Sequence, residues 1–367
     1  MRDNWQPLIF KTLLKEPIRD FGSFSLTNLI NFQDNGIPFL KSESIKNGFI
    51  DFSKISFISE DVHRILKKSV VNKGDLLYTK IGAICRGAIY DGSIGICNSN
   101  AATAKIKINQ SIADTYFILY LLLSEEVKRE FEKSIISTPP RINLGDIDKL
   151  EVLLPPLPQQ QKIANILSTC DEVIEKTEAA IAKYQALKQG LMHDVFTRGI
   201  DLKTGKLRPS YQDAPEFYKQ SELGWIPKDW EVDGILEKCD EIFLGLTTKV
   251  DYVQEDGIPL VRAKDVNTGY LKFDEVLQIS KKQHKELTKN RKAKRDDVLI
   301  TKSGTLGISA LVDSDTEFSI YESIIVLQTK KEELYPKFLL WLLREPTTLN
   351  RLLGQTVGST IGHLNLL

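Results

Sequence analysis

Cysteine is scarce in this 367-residue sequence, and its spacing excludes the common cysteine-based sites. No two cysteines form a C-x-x-C pair, so we expect reduced cytosolic thiols rather than disulfides or metal ligands at Cys85, Cys97, Cys170 and Cys239. The sequence also lacks the run of about 20 apolar residues that a membrane-spanning helix requires. Its first residues contain no apolar signal segment. We therefore expect a cytoplasmic protein with no membrane partner.

An excess of charge of either sign is missing too. The 49 lysine and arginine residues are balanced by 49 aspartate and glutamate residues. Composition therefore offers no general argument for nucleic-acid binding, and such an argument needs local clusters of charge. The 42% of apolar and 27% of charged residues are typical of a globular protein, and the length allows two or more domains.

The motifs of catalysis and cofactor binding are absent as well. The sequence has no Asn-Pro-Pro-Tyr/Phe motif for amino methylation, no G-x-G-x-x-G loop after a predicted strand and no H-E-x-x-H. The stretch from Gly199 to Lys206 resembles a phosphate-binding loop, but it has one residue too many between its glycines and Leu207 in place of the Mg²⁺-binding hydroxyl. The four histidines lie far apart, at positions 63, 193, 284 and 363. We predict no catalytic residue, no metal and no cofactor.

A long internal repeat is the strongest positive feature. QDNGIP at positions 33–38 returns as QEDGIP at positions 254–259, so that Gly36 corresponds to Gly257. Further matches follow at this spacing or within one position of it: DLLYTKIG (75–82) with DVLITKSG (297–304), FILYLL (117–122) with FLLWLL (338–343), and INL (142–144) with LNL (364–366). Each copy has a normal domain size, with short predicted strands and one late apolar helix, over 115–133 in the first copy. The sequence thus predicts two tandem mixed α/β domains, which fit two readers of different targets better than duplication for stability alone.

A proline cluster and a heptad pattern separate the two copies. Pro155, Pro156 and Pro158 end a strand and begin a predicted helix over residues 159–197, about 55–60 Å long, which Gly199 terminates before a polar connector. Its apolar heptad positions predict a coiled-coil interface formed by Ile163, Leu167, Ile174, Ile181, Tyr184 and Leu191. The alternative is a long helix lying on its own globular domain. The stripe exceeds the face of one domain, so we favour a helical partner.

The central segment resembles a known family. LPPLPQQQKIANILSTCDEVIEKTEAAIAKYQALKQGLMHDVFTRGI (154–200), GKLRP (205–209) and SELGWIPKDWEV (221–232) are similar to the central region of type I restriction–modification specificity subunits. The resemblance implies a non-catalytic α+β protein with two target recognition domains joined by a long coiled-coil-forming helix. On this basis we expect domains at 1–154 and 225–367, the helix at 155–198 and a connector at 199–224.

The same resemblance implies a set of partners. The protein would read a bipartite double-stranded DNA sequence, dock methyltransferase subunits and, through them, the restriction–translocase subunits. In the family a second, C-terminal helix packs on the central one, whereas this sequence stops at Leu367. We therefore expect either self-association through residues 159–197 or a truncated allele completed by a separately encoded fragment. The alternatives are a stand-alone DNA-modifying enzyme, a coiled-coil scaffold, or a silent or phase-variable allele with little activity alone.

Candidate DNA contacts come from basic stretches and from positions that correspond between the copies. The basic stretch KKQHKELTKNRKAKR (281–295) offers a phosphate-contacting face, with a solvated helix face as the alternative. Corresponding positions and residues that differ between copies supply the remaining candidates. The predicted contacts are Lys41, Thr79, Lys80, Arg86, Arg141, Asn143, Arg262, Lys281, Lys282, Arg291, Thr301, Lys302, His363 and Asn365.

Overall fold

The computed structural model describes residues 4–22, 24–135 and 137–354. The chain divides into two compact units, residues 1–180 (unit 1) and 181–367 (unit 2). Each unit combines strands and helices, and one long helix contributes to both. The predicted α+β class with two mixed domains and a long central helix is confirmed.

Unit 1 is built on two small sheets and a separate strand pair. Its strands are β1 Gln6–Ile9, β2 Ile37–Leu40, β3 Ser56–Ile58, β4 Val70–Val71, β5 Leu76–Thr79, β6 Gly87–Ile89, β7 Cys97–Ser99, β8 Thr103–Ile106 and β9 Glu151–Leu154. Its helices are α1 Glu60–Ile65, α2 Thr115–Leu123, α3 Glu125–Ser134, α4 Leu144–Asp148 and α5 Leu157–Arg198, the last continuing into unit 2. The sheet orders are β3-β2-β7-β4, β6-β5-β8 and β1-β9.

Unit 2 contains the second copy, preceded by two strand pairs. Its strands are β10 Ile200–Asp201, β11 Lys206–Leu207, β12 Tyr218–Ser221, β13 Gly224–Pro227, β14 Cys239–Leu244, β15 Tyr252–Val253, β16 Ile258–Val261, β17 Val266–Asn267, β18 Tyr270–Leu271, β19 Gln278–Ile279, β20 Val298–Thr301, β21 Ser309–Leu311, β22 Ser319–Ile320 and β23 Ile324–Thr329. Its helices are α6 Lys281–Leu287, α7 Pro336–Arg344 and α8 Pro346–Gly354. The larger sheets run β14-β23-β20-β21 and β15-β19-β16-β22.

The repeat seen in the sequence is reproduced in the strand register. β2 and β7 are parallel and pair Phe39 with Asn98, whereas β16 and β22 are parallel and pair Leu260 with Ser319. Leu260 corresponds to Phe39 and Ser319 to Asn98, at the same spacing that separates Gly36 from Gly257. Strands β5 and β20 are completely buried in both copies. Their continuous apolar runs fit strands that are covered on both faces.

The apolar segment 115–133 forms two helices where one was predicted. Ser124 has extended backbone angles, and its Oγ accepts a hydrogen bond from the Val127 amide at 3.3 Å. A serine that caps the following helix competes with the continuation of the preceding one, so α2 ends and α3 begins there. In unit 2 Glu345 occupies this position, and its carboxylate accepts from the Thr348 amide at 2.7 Å. Sequence periodicity does not reveal such a break, since both segments are helical.

Helix α5 extends over 42 residues, about 63 Å, and agrees closely with the predicted helix. Gln160 is buried at its first turn, where the side-chain amide donates to Pro155 O at 2.8 Å and its oxygen accepts from the Asp114 amide at 2.8 Å. Gly199 ends the helix with φ of +70°, a left-handed conformation that glycine adopts readily. Among the described residues, no helix is long and apolar enough to cross a bilayer.

The heptad stripe of α5 remains exposed along most of its length. Ile163 packs against the core of unit 1. The other predicted interface residues are between 38% and 68% exposed, namely Leu167, Ile174, Ile181, Tyr184 and Leu191. Farther along the helix, Phe196 contacts Phe338 of α7 with ring centroids 5.5 Å apart. Among the described residues, the helix contacts unit 1 along its first third, as far as Asp171, and unit 2 along its last third, from Lys188 onward.

The predicted polar connector is folded. It forms the strand pairs β10–β11 and β12–β13. Arg208 binds both carboxylate oxygens of Asp229, at 2.5 and 2.7 Å, and Tyr211 stacks on Trp225 with centroids 4.4 Å apart. These contacts join residues distant in sequence, which explains why local composition indicated only a loop.

Candidate nucleic-acid interface

One loop is built in the same way in both units. In unit 1 the buried Thr79 hydroxyl donates to Ala83 O at 2.6 Å and accepts from the Arg86 amide at 3.0 Å. In unit 2 the buried Thr301 hydroxyl donates to Thr305 O at 2.5 Å and accepts from the Ile308 amide at 2.9 Å. Both threonines therefore hold the loop from inside instead of presenting a hydroxyl to solvent.

The backbone of these loops follows the same left-handed pattern. Gly82 and Cys85 have φ of +78° and +61°, and their counterparts Gly304 and Gly307 have φ of +82° and +75°. Such angles favour glycine, and Cys85 is the exception among the four positions. The two loops thus share one backbone conformation although their residues differ.

The lysines that enter these loops have different surroundings. Lys80 has a side chain only 4% exposed, and its Nζ lies 3.2 Å from Asp20 Oδ2. Its counterpart Lys302 is half-buried and makes no ion pair with any residue that the structure describes. Both backbone amides form equivalent bonds, to Ala102 O at 2.8 Å and to Ser323 O at 2.7 Å. Lys302 therefore carries a positive charge available to an anion, whereas that of Lys80 is neutralised inside the fold.

Three other predicted contacts meet at the loop of unit 1. The Ile142 amide donates to Lys80 O at 2.8 Å, and Arg141 forms a β-bridge with Ile81. Arg141 and Asn143 are exposed and Arg86 is half-buried. Neither arginine forms an ion pair within the described part of the chain. The fold thus brings together two guanidinium groups that have no ion pair among the described residues, and the exposed Asn143 amide, whose Nδ2 also donates to Asp146 Oδ2 at 3.1 Å. Such groups suit phosphate and base edges.

The two candidates that directly follow β2 and β16 are partly engaged. Lys41 Nζ lies 4.3 Å from the centre of the exposed Phe32 ring, a cation–π arrangement that leaves its charge uncompensated. Arg262 lies 3.3 Å from Asp265 through its Nε, and the Asp265 carboxylate also accepts from the Arg262 amide. Lys41 is therefore electrostatically more available than Arg262.

The basic stretch 281–295 is only partly free. Lys281 and Lys282 are exposed on the first turn of α6 and have no ion-pair partner among the described residues. Arg291 pairs with Glu241 at 2.6 Å, Arg295 pairs with Asp315, and Lys292 pairs with Glu317. Two exposed lysines beside the first group were not selected from the sequence, although the same stretch contains them: Lys285 and Lys289. The free positive charge of this stretch lies on α6 and continues past its end at Lys289 and Lys294.

Two histidines excluded as ligands prove to be structural. His63 Nδ1 lies 2.5 Å from Asn98 Oδ1 in unit 1, and His284 Nδ1 lies 2.8 Å from Ser319 Oγ in unit 2. These pairs fasten α1 and α6 to equivalent strands. Burial lowers the pKa of His284, because a charged ring loses its hydration there. Both members of each pair correspond at the repeat spacing, which is the sequence signal that identifies them.

The two remaining candidates, His363 and Asn365, lie outside the described residues. Within the described ranges, no group of three or more His, Cys, Asp or Glu side chains is arranged to hold a metal ion.

Comparisons with known proteins place this architecture in a family. The family model "Type I restriction modification DNA specificity domain" matches residues 18–183 and 227–366. The proposed type I restriction enzyme MjaX specificity subunit of Methanocaldococcus jannaschii is 28% identical over 271 residues, covering 71% of this chain and 60% of the relative. The MjaVIII specificity subunit of the same organism is 27% identical over 313 residues, covering 83% and 67%. This chain thus spans about three fifths to two thirds of the length of these relatives.

A solved structure shows the same fold. The S subunit of a type I restriction–modification system from M. genitalium superposes with a TM-score of 0.53 at 14% identity, over 96% of this chain and 80% of that one. The two family matches cover most of the sequence and fall on the two copies of the repeat. The chain therefore belongs to the family of type I restriction modification DNA specificity domains and carries that domain twice.

Proposed function

We propose that this protein recognises a bipartite double-stranded DNA sequence as the specificity subunit of a type I restriction–modification complex. It performs no chemistry itself and directs methylation and cleavage by partner subunits. Family membership supports this proposal, as do relatives named specificity subunits of type I restriction enzymes. The observation that carries it is the duplicated loop, which has one backbone conformation and different exposed residues in the two units. Such a pair suits two readers of unlike half-sites.

The proposed contacts differ in role. Arg86, Arg141 and Asn143 serve unit 1, where side chains with several donors can read base edges. Lys302, Lys281 and Lys282 serve unit 2, where point charges neutralise phosphates. Lys41 and Arg262 contribute from the positions directly after β2 and β16. His363 and Asn365 are proposed as the unit 2 counterparts of Arg141 and Asn143, on sequence correspondence alone.

The remaining candidates act indirectly in this proposal. Thr79 and Thr301 shape the loops, because their hydroxyls are buried and satisfied within them. Lys80 holds the loop of unit 1 through Asp20, and Arg291 is neutralised by Glu241. These four residues position the interface without contacting DNA.

The exposed stripe of α5 is the proposed surface for helical partners. Its apolar heptads suit the methyltransferase subunits, through which the restriction–translocase subunits join, or a second copy of α5. The domain limits at 154, 198 and 224 remain predictions. We propose that the complex acts in the cytoplasm.

The test is to co-express the chain with a methyltransferase subunit of a type I restriction–modification system and map the methylated DNA sites. We expect one bipartite motif. Arg86→Ala combined with Arg141→Ala should relax one half-site and leave the other intact, because both side chains belong to unit 1. Lys203→Ala combined with Lys219→Ala, which removes two exposed lysines of unit 2, is the matched control. Simultaneous change of both half-sites by the unit 1 variant would refute the two-reader proposal.

A further inference from the structure

A groove of about 760 Å³ opens in unit 1 between α3, α4 and the β1–β9 pair. Its floor is apolar and consists of the buried side chains of Val127, Phe131, Leu150 and Val152. Exposed Leu153 extends this apolar surface along β9. The groove is large enough to take bulky side chains of another polypeptide.

The rim of the groove is strongly acidic. Glu126, Glu130, Asp146 and Glu151 line it, against the single cation Lys149. Glu126 and Glu151 form no ion pair with described residues, and Glu130 pairs only with exposed Lys133, at 3.0 Å. An apolar floor inside a carboxylate rim attracts cationic amphipathic ligands and repels DNA.

The corresponding helix face in the second copy is engaged by protein. At the repeat spacing, Glu126 corresponds to Thr347 and Glu130 to Arg351 of α8. Arg351 donates a hydrogen bond at 2.9 Å to Leu223 O, in the turn between β12 and β13. The second copy thus uses this face to hold a backbone segment of its own chain, whereas in the first copy Glu130 replaces the guanidinium and Glu126 replaces a threonine.

We propose that the groove of unit 1 docks a basic amphipathic segment of a protein partner. Bulky apolar side chains of that segment contact Phe131 and Val152, and its lysine or arginine side chains pair with Glu126, Glu130 and Glu151. Charge complementarity selects this occupant, since the rim carries an uncompensated negative charge beside buried apolar residues. Asp146 borders the candidate DNA interface, because it accepts a hydrogen bond from Asn143 Nδ2 at 3.1 Å. The proposed pairing rests on Glu126, Glu130 and Glu151 instead, so the proposal does not depend on DNA reading.

The probe is a fluorescein-labelled 12-residue peptide of leucine and arginine in amphipathic order, measured by fluorescence anisotropy on the full chain. The groove variant is Glu126→Lys with Glu151→Lys, and the control is Glu216→Lys with Glu222→Lys, which makes the same net-charge change at exposed residues of unit 2. We expect the groove variant to bind at least about tenfold more weakly, because like charges then meet across the contact. The control should bind within about twofold of the parent protein.

Two further measurements keep the proposal falsifiable. Glu126→Gln with Glu151→Gln preserves side-chain shape, so a loss of several-fold is expected even if the lysine variant folds poorly. A peptide with the same residues in non-amphipathic order should bind at least about fivefold more weakly, because it cannot place its leucines together on the floor. Equal losses in the groove and control variants, or equal binding of the two peptides, would overturn the proposal.

Discussion

Lys80 and Lys302 occupy corresponding positions of the two copies but have different roles, since Lys80 is in a buried ion pair and Lys302 has no ion pair among the described residues. This difference leads to a specific prediction. Lys80→Met removes the cation of a nearly buried ion pair and keeps the length of the side chain. Asp20 then stays in place without its partner. Breaking a buried pair costs about 3–5 kcal/mol. Asp20 remains 24% exposed, so water recovers part of that loss, and we expect unit 1 to lose about 2–3 kcal/mol of unfolding free energy.

The assay is thermal unfolding followed by DNA binding. For a unit of this size, a loss of about 2–3 kcal/mol lowers the unfolding transition of unit 1 by about 5–10 °C. Lys302→Met should change the unfolding free energy by no more than about 0.5 kcal/mol, because its side chain has no ion pair to lose among the described residues. It should instead weaken DNA binding and reduce the salt dependence of log K by about one unit of slope.

The double variant Asp20→Asn with Lys80→Met controls for the buried charge. It should regain most of the lost stability, since no unpaired carboxylate then remains. Both Lys80 variants, measured well below their unfolding temperature, should keep the salt dependence of log K of the parent protein, because Lys80 positions the loop and contacts no phosphate. Our reasoning is refuted if Lys80→Met leaves unfolding unchanged and weakens DNA binding as much as Lys302→Met does.

Three further predictions concern stability and assembly. Burial lowers the pKa of His284 below its usual 6.5, so the unfolded state binds more protons than the folded state. The free energy of unfolding should therefore fall as the pH drops from 7.5 to 5.5. His284→Gln should reduce this pH dependence in thermal melts. Gly199→Ala should lower the free energy of unfolding in urea by about 1–3 kcal/mol, because its Cβ would lie 2.5 Å from Trp230 and its φ is left-handed. Gly190→Ala is the control. It has open space around it in α5 and should raise the free energy of unfolding by up to about 1 kcal/mol. If the α5 stripe mediates self-association, Ile181→Asp should convert concentration-dependent light scattering to that of a monomer, and identical scattering of variant and parent would exclude the stripe.

The repeat and the central helix could be predicted from the sequence, because each depends on short sequence patterns: matching motifs for the repeat, and heptads with a terminating glycine for the helix. The nearly constant spacing between matching motifs aligned the strands of the first copy with those of the second. The structure shows the same parallel register in both copies, Phe39 with Asn98 and Leu260 with Ser319. The heptads and Gly199 delimited α5 within one or two residues. These signals depend on period, capping and backbone conformation, which neighbouring residues largely determine.

The electrostatic state of the candidate interface was decided by tertiary structure. Sequence correspondence treated Lys80 and Lys302 alike, but the fold brings Asp20 to one of them from a distant part of the chain. Arg291 was predicted as a DNA contact, and the fold of unit 2 places Glu241 of β14 beside it. Whether a charge is available to DNA depends on partners at any sequence distance and on burial, since a nearby counter-charge cancels its field. Periodicity in the sequence indicates which residues belong to the same helix or strand, whereas only the tertiary structure shows which of their charges have no ion-pair partner.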